Sequence, residues 1–499
     1  MNSNPVAVPV AENSSVPRSV VTVLAVLVFT AFVMMLNETT LSVAMLSIMA
    51  DYSISASVAQ WLMTGFMLTM AVVLPTTGWL LQRYSTKTVF TFAVTSFLIG
   101  TLISAIAPSF PLLLLGRVAQ GIGTAIIMPL LMTVAMTLVP TSRRGAVMGL
   151  ISVVMAVAPA MGPTVSGFIL SFASWHGIFW MMLPLVATAG IIGYLRLTDV
   201  STGNAPPFDL LSVILSVFAF GGLVYGLSSI GQILEGGTAG QTALTVLAVG
   251  VIGLVMFVWR QLARGRNDRA LLDLRPLKVR NFTLSMLVLV CLFGAMLGVL
   301  NTLPLYLQGS LLVTTLASGL ILLPGGLLNG ALAPFVGRLF DRHGPRPLII
   351  PGMTLVVATM FWLSTVDENT AVSLVVTIHV LFSAGLALLF TSLMTTALGS
   401  LPRPLYSHGS AIMNTLQQLA GAAGTAVMLT IYSSRSDAAI AAGVSEPAAL
   451  ATGASSAFLT SAVIAVVALV LSVFIQRAPA EESGEAAGVP EQVAAPAGD

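Results

Sequence analysis

Two charged residues sit where charge is costly. Glu38 lies in an apolar run from about Val20 to Ile48, and Arg117 lies in a second apolar stretch between Pro111 and Val139. Each stretch is long enough to cross a bilayer as a helix, and an ionisable group inside such a helix marks a functional site by default. A guanidinium keeps its proton under ordinary conditions, so of these two groups only the carboxylate can titrate. If they meet, each lowers the cost of burying the other, and protonating Glu38 would release Arg117. That is the switch a proton-coupled carrier needs. Two plainer readings stand beside it: a permanent ion pair that only orients two helices, or a Glu38 that reaches up to the membrane surface. His379, inside another apolar run, is the next proton carrier in line. His176, His343 and His408 fall at helix ends or loops without metal-ligand spacing, so no metal is expected. The lone cysteine, Cys291, excludes an intramolecular disulfide.

The elements that must position these groups follow from composition. Of 499 residues, 57% are hydrophobic and only 8% charged, which excludes a soluble globular protein and indicates a polytopic membrane protein. Long unbroken runs of Leu, Val, Ala, Gly and Met predict helices rather than a barrel. Segmenting at Pro, Gly and charge clusters predicts fourteen spans, near 20–47, 58–81, 88–107, 111–139, 145–172, 177–196, 210–231, 241–260, 282–306, 314–337, 347–366, 371–399, 408–433 and 455–476. The first is too long for a signal-peptide core and is read as a span. Polar tails are expected at 1–19 and, as a disordered segment, at 478–499.

Lys and Arg fall in alternate loops: Arg83 and Lys87, Arg143 and Arg144, Arg196, the run from Arg260 to Arg280, Arg338 with Arg342 and Arg346, and Arg403. The opposite loops hold Asp51, Glu235, Asp367, Glu368, Asp437 and Glu446, with Arg435 alone among them as a basic residue. The basic set is therefore expected to be cytoplasmic, with both termini on that side of the cell membrane. Counted from the outer helix ends, Glu38 and Arg117 then share a depth of roughly 10–12 Å.

The chain also repeats itself. Gly78 to Lys87, after the second span, and Gly337 to Arg346, after the tenth, both fit Gly-x-Leu-x-x-Arg-x-x-x-basic. Internal repeats are the usual construction of secondary transporters, with the site between the halves. They predict a six-helix bundle at 20–196, two inserted helices and a basic loop at 197–281, and a second six-helix bundle at 282–477. A loop of this pattern could latch the halves together, with Gly78, Arg83, Lys87, Gly337, Asp341, Arg342, Gly344 and Arg346 as its working residues, or simply keep positive charge inside. In the fifth span, Pro159, Gly162, Pro163 and Gly167 predict a weakened hydrogen-bond ladder and close helix packing, hence a bend or hinge.

Together these residues resemble the major facilitator superfamily, in particular its fourteen-helix drug:proton antiporter branch, over nearly the whole chain. Gly337 to Arg346 closely matches the family's loop motif Gly-x-Leu-x-Asp-Arg-x-Gly-x-Arg, whereas Gly78 to Lys87 has Gln82 in place of the acid and Ser85 in place of the second glycine. Leu113 to Pro129, with Arg117, Gln120, Gly121 and Gly123, looks like the fourth-helix motif whose Arg takes part in proton coupling. Gly162, Pro163 and Gly167 resemble the fifth-helix antiporter motif, with Ser166 where its second terminal glycine would fall. Leu36 to Ala44 is similar to the first-helix motif Leu-Asp-x-Thr-Ile-Val-Asn-Val-Ala, with Asn37 at the usual acid and Glu38 one residue on, a rotation of about 100°.

The resemblance implies an all-α fold and alternating access. It also implies a proton gradient in place of any cofactor, and export of an amphiphilic, often cationic, drug-like molecule by a monomer in the bilayer. Glu38, Arg117 and Gln120 would serve proton coupling. Asn37, Trp61, Thr64, Asn301, Gln308, Asn414, Gln417 and Gln418 are candidates to line the substrate cavity, each also able to serve helix packing. An exporter or flippase of a lipid or cell-envelope metabolite on the same scaffold is the alternative. Gly121-x-Gly123 and Gly325-Gly326 lie inside hydrophobic spans, so no nucleotide or nucleic-acid partner is implied, and the loops are too short for an ATPase domain. No constellation of His, Asp, Ser or Cys converges at one membrane face, so an enzyme is not expected.

Overall fold

The computed structural model of the chain describes residues 18–54, 56–59, 61–197, 199, 209–266 and 269–476. The two expected tails lie outside these residues, apart from the last positions of the first. Thirteen helices among the described residues are long and apolar enough to cross a membrane. In chain order the long helices are α1 (Arg18–Tyr52), α2 (Trp61–Arg83), α3 (Thr86–Ala105), α4 (Phe110–Leu138), α5 (Arg144–Leu170), α6 (His176–Arg196), α7 (Leu210–Ser228), α8 (Gly237–Gly265), α9 (Arg280–Gly309), α10 (Thr315–His343), α11 (Arg346–Leu363), α12 (Val372–Gly399), α13 (Tyr406–Ala441) and α14 (Glu446–Val473). α13 falls outside the thirteen despite its 36 residues. Its Asn414, Thr415, Gln417 and Gln418 dilute the apolar character, because much of this helix faces protein rather than lipid.

Helix ends follow local chemistry. The Ser85 hydroxyl accepts from the Thr88 N–H at 3.1 Å to cap α3, and Asp209 accepts from the Ser212 N–H at 3.4 Å to cap α7. Gly344, at φ 77°, stops α10 in the left-handed conformation that a glycine adopts without strain. α7 contains a π-helical turn at Val217–Gly221.

The packing reproduces the repeat pair by pair. α1 packs on α5 and α6 as α9 packs on α13 and α14; α3 packs on α4 and α6 as α11 packs on α12 and α14; α2 packs on α4 as α10 packs on α12. Two symmetry-related seams join the resulting six-helix bundles, α2 with α13 and α5 with α10. α7 and α8 form an added hairpin: α7 lies against α2 and α13, and α8 against α7 with a largely exposed outer face.

Candidate functional site

Arg117 is wholly buried. Its Nη1 donates to Asn37 Oδ1 at 2.8 Å and to Gln120 Oε1 at 2.8 Å, and its Nε donates to the Leu62 carbonyl at 3.3 Å. The guanidinium carbon lies 4.1 Å from the centre of the Phe66 ring, a cation–π contact. Gln120 passes the network on, donating from Nε2 to Thr101 Oγ1 at 2.9 Å. The site thus ties α1, α2, α3 and α4 around one cation, and Arg117 Nη2 has no hydrogen-bond partner among the described residues. Every direct partner is neutral, so the cost of burying this charge is only partly offset.

Glu38 and Arg117 share a depth but do not touch. Asn37, at the position of the family acid, takes the place beside Arg117, because a one-residue step along α1 carries Glu38 to a different face. Glu38 is partly exposed, and no hydrogen bond or ion pair to it occurs among the described residues. Its charge and that of Arg117 act on one another through space.

The next residue of the stretch reaches the proline pair. Pro163 has no N–H to give the Pro159 carbonyl, and Thr39 Oγ1 donates to that carbonyl at 3.1 Å instead. Gly162 makes the approach possible, since a Cβ there would lie 1.9 Å from Thr39 Oγ1. α5 nevertheless runs unbroken through Pro159 and Pro163, so the weakened ladder is clasped by α1 rather than opened into a break. Gly167 faces open space and Ser166 is buried, while the ring of Pro163 lies outside the described side chains. Asn37, Glu38 and Thr39 thus place the fourth-helix and fifth-helix motifs on either side of one short segment of α1.

The bundles meet at the end carrying the basic loops. The Asp341 carboxylate accepts from the Gly145 N–H at 2.7 Å and the Ala146 N–H at 3.0 Å, capping the first turn of α5 from across the α5–α10 seam. Gly337 lets the helices close there: a Cβ on it would sit 2.2 Å from the Gly145 carbonyl oxygen. On the α2–α13 seam a Cβ on Gly78 would lie 2.6 Å from His408 Nδ1 and 3.2 Å from the His408 Cα. Gln82 Nε2 donates to the Pro404 carbonyl at 3.0 Å. Deeper in, Thr133 and Ser410 hydroxyls pair at 3.1 Å, Thr391 donates to Ser152 at 3.0 Å, and Gln418 Nε2 faces Met70 Sδ at 3.7 Å. Among the basic residues of the repeated loops, Lys87 lies 4.1 Å over the Tyr194 ring and Arg346 Nε donates to the Ile475 carbonyl at 3.0 Å. Arg83 and Arg342 are exposed, and neither forms an ion pair among the described residues.

The cavity candidates are not brought together. Asn414 and Gln417 are buried on α13; Asn414 donates to the Ser410 carbonyl at 2.8 Å and faces Met132 of α4 at 3.4 Å, and the Gln417 amide nitrogen has no partner among the described residues. Asn37 belongs to the Arg117 network. Trp61 turns outward and stacks on Tyr225 of α7, with ring centres 6.0 Å apart. Asn301 is exposed and bonds its own helix at the Leu297 carbonyl, 2.7 Å away. Thr64 and Gln308 are partly buried. Thr39, Thr133, Ser152, Thr391 and Ser410 carry no signal in the sequence, since a single hydroxyl in an apolar helix usually bonds its own preceding turn and has no distinctive spacing. His379 is buried against Gly325, with Nδ1 unpartnered among the described residues.

Two bundles thus share one packing plan and meet at two seams, and the first buries a cation among four of its helices. The chain belongs to the Major Facilitator Superfamily, whose model matches residues 27–425. It is 39% identical to the lincomycin resistance protein LmrB of Listeria monocytogenes, covering 91% of this chain and 97% of that protein. It is 37% identical to LmrB of Bacillus subtilis, covering 90% and 95%. A multidrug resistance protein B homolog of Mycobacterium tuberculosis is 28% identical over 79% of this chain and 72% of its own length. Among solved structures the fold matches the human organic anion transporter MFSD10 (TM-score 0.67, 14% identity, 91% of this chain and 100% of that one). It also matches the proton:xylose symporter XylE (TM-score 0.63, 14% identity, 92% and 96%). The chain is a transporter of the membrane and not an enzyme.

Proposed function

We propose that this protein is a proton-coupled antiporter that exports amphiphilic drugs from the cytoplasm by alternating access, with lincomycin-type compounds the first candidates to test. The observation that carries the coupling is the buried Arg117, held by the neutral Asn37 and Gln120, with Glu38 as the adjacent group able to change charge. Asn37 holds the guanidinium, and the protonation of Glu38 alters the field in which it sits. Thr39 joins the same segment to the proline pair of α5, so a shift of α1 on protonation would be felt at both motifs. The basic loops face the cytoplasm, and the seams beside them form the inner gate. Asn414 and the unpartnered amide of Gln417, on the α13 face near α4, are the polar groups best placed to meet substrate.

The test is efflux of lincomycin and a panel of cationic dyes from cells expressing the chain, with and without collapse of the proton gradient. Gradient-dependent efflux of at least one compound is expected. Efflux that persists after collapse rules out the coupling, and failure on every amphiphile tested moves the substrate class elsewhere.

A further inference from the structure

The added hairpin does more in this structure than fill space between the bundles. Gln261 on α8 is buried, with 1% of its surface exposed, and both ends of its amide are used. Nε2 donates to Ser212 Oγ of α7 at 2.8 Å. Oε1 accepts from two successive backbone N–H groups, those of Leu271 at 2.9 Å and Leu272 at 3.1 Å, in the segment that leads from the hairpin to α9. The next N–H along, that of Asp273, donates to His408 Nδ1 on α13 at 3.3 Å. His408 is the residue against which Gly78 of α2 closes. Three consecutive N–H groups thus link the hairpin to the α2–α13 seam.

The segment is fixed from both sides. Leu271 and Leu272 are buried in the main apolar core, so releasing the two N–H groups would leave them unsatisfied away from water. The hairpin end is held by Asp209, which takes a two-point contact from Arg260 at 2.8 and 2.9 Å, a third from Arg264 Nε at 3.0 Å, and the Ser212 hydroxyl at 2.6 Å. Ser212 therefore sits between the Asp209 cluster and Gln261. Beyond His408, Arg275 closes the segment by donating back to Asp273 from Nε at 2.6 Å.

We propose that residues 269–275 act as a strap by which the inserted hairpin positions His408 against Gly78, with Gln261 and His408 as its positioning residues, so that the hairpin stabilises the closed inner gate. This rests on the reading of the basic end as a gate that opens and closes. A packing-only hairpin would be indifferent to the loss of one side-chain amide. A strap is not, because among the described residues Gln261 alone serves both N–H groups.

Cysteine accessibility tests it without reference to any substrate. With Cys291→Ser as background, Thr133→Cys reports the inner seam and Thr425→Cys, on the outer half of α13, reports the opposite side. Gln261→Leu and His408→Leu should each raise maleimide labelling at position 133 by roughly three- to tenfold, as expected for losing one or two buried hydrogen bonds from the closed state. His408→Asn, which keeps an acceptor near the Nδ1 position, should restore most of the protection. Asp341→Ala, which opens the other seam, is the control. If it raises labelling at 133 while Gln261→Leu in well-folded protein does not, the strap is overturned and the gate reading stands. If neither does, both are overturned. Labelling that rises equally at 133 and 425 means a loosened fold and also overturns the strap.

Discussion

The two copies of the repeated loop occupy equivalent places in the two bundles and hold them together by different chemistry. Asp341 presents an anion to the N-terminal N–H groups of α5, where helix dipole and hydrogen bonds act together. Gln82, at the matching position, donates a neutral amide to the Pro404 carbonyl ahead of α13. Both seams are also closely packed, at Gly337 against the Gly145 carbonyl and at Gly78 against His408. The first thus adds a charged cap to its packing, and the second adds only a neutral amide. In a two-state carrier the first can be broken by a local change in electrostatics, whereas the second opens only as a body.

If that contrast is right, substitutions at the two seams should fail in different ways. The largest effect is expected from Gly78→Val. Its Cβ would lie 2.6 Å from the His408 ring and 3.2 Å from its Cα, and that buried ring has little room to turn away, so export should fall by at least about tenfold while the protein still reaches the membrane. Transport by matched amounts of membrane protein checks this, and unchanged transport would mean the seam is not closed in the working cycle. Asp341→Ala comes next. Loss of a helix cap of this kind costs about 1–2 kcal/mol, or roughly a 5- to 30-fold smaller closed population, whereas Asp341→Asn should lose less because an acceptor remains. Site-directed labelling at the start of α5 distinguishes them. Gln82→Asp, which supplies the acid that the first copy lacks, removes the donor to Pro404 on an exposed contact and should change export by less than about threefold. A large gain would show that the two loops are interchangeable and that the contrast is wrong.

The hairpin should show an effect on stability rather than on transport. Burial would raise the Asp209 carboxyl, but hydrogen bonds from Arg260 and Ser212 outweigh it and hold the group down at about 2. A carboxyl lowered on folding stabilises the folded state above its ordinary value of 3.8 and loses that contribution as pH falls toward about 2. The cluster should therefore contribute on the order of 2 kcal/mol at neutral pH and lose it between roughly pH 4 and pH 2. Thermal unfolding in detergent, with Asp209→Asn as reference, reads this as a narrowing difference between the two proteins across that range.

The helices were legible from the sequence because a bilayer demands about twenty apolar residues per crossing, and the loops because Lys and Arg alternate between them. Even α13, the most polar of the long helices, was legible from segmentation at Pro, Gly and charge clusters, and the alternation of basic loops agrees with the span count. At the repeated loop the sequence offered two readings, a latch or simple retention of positive charge, and Asp341 caps the first turn of α5 across the seam. Equal depth left the meeting of Glu38 and Arg117 open, because depth fixes position along a helix and says nothing of rotation about it, and one residue is enough to exchange Glu38 for Asn37. Rotation also decides Trp61, which sits on the expected helix but turns outward onto Tyr225, and Asn301, whose amide bonds its own helix and reaches Thr425 of α13. The clasp of Thr39 on Pro159 could have been inferred, because Pro163 necessarily orphans the carbonyl four residues before it.

The central claim is that Glu38, without touching Arg117, is the group whose protonation drives transport. Proton release on adding substrate to detergent-purified protein tests it most directly. The unaltered protein should release protons when a transported compound binds, and Glu38→Gln should bind the compound and release none. Proton release from Glu38→Gln equal to that of the unaltered protein would place the coupling group elsewhere in the chain and contradict the account.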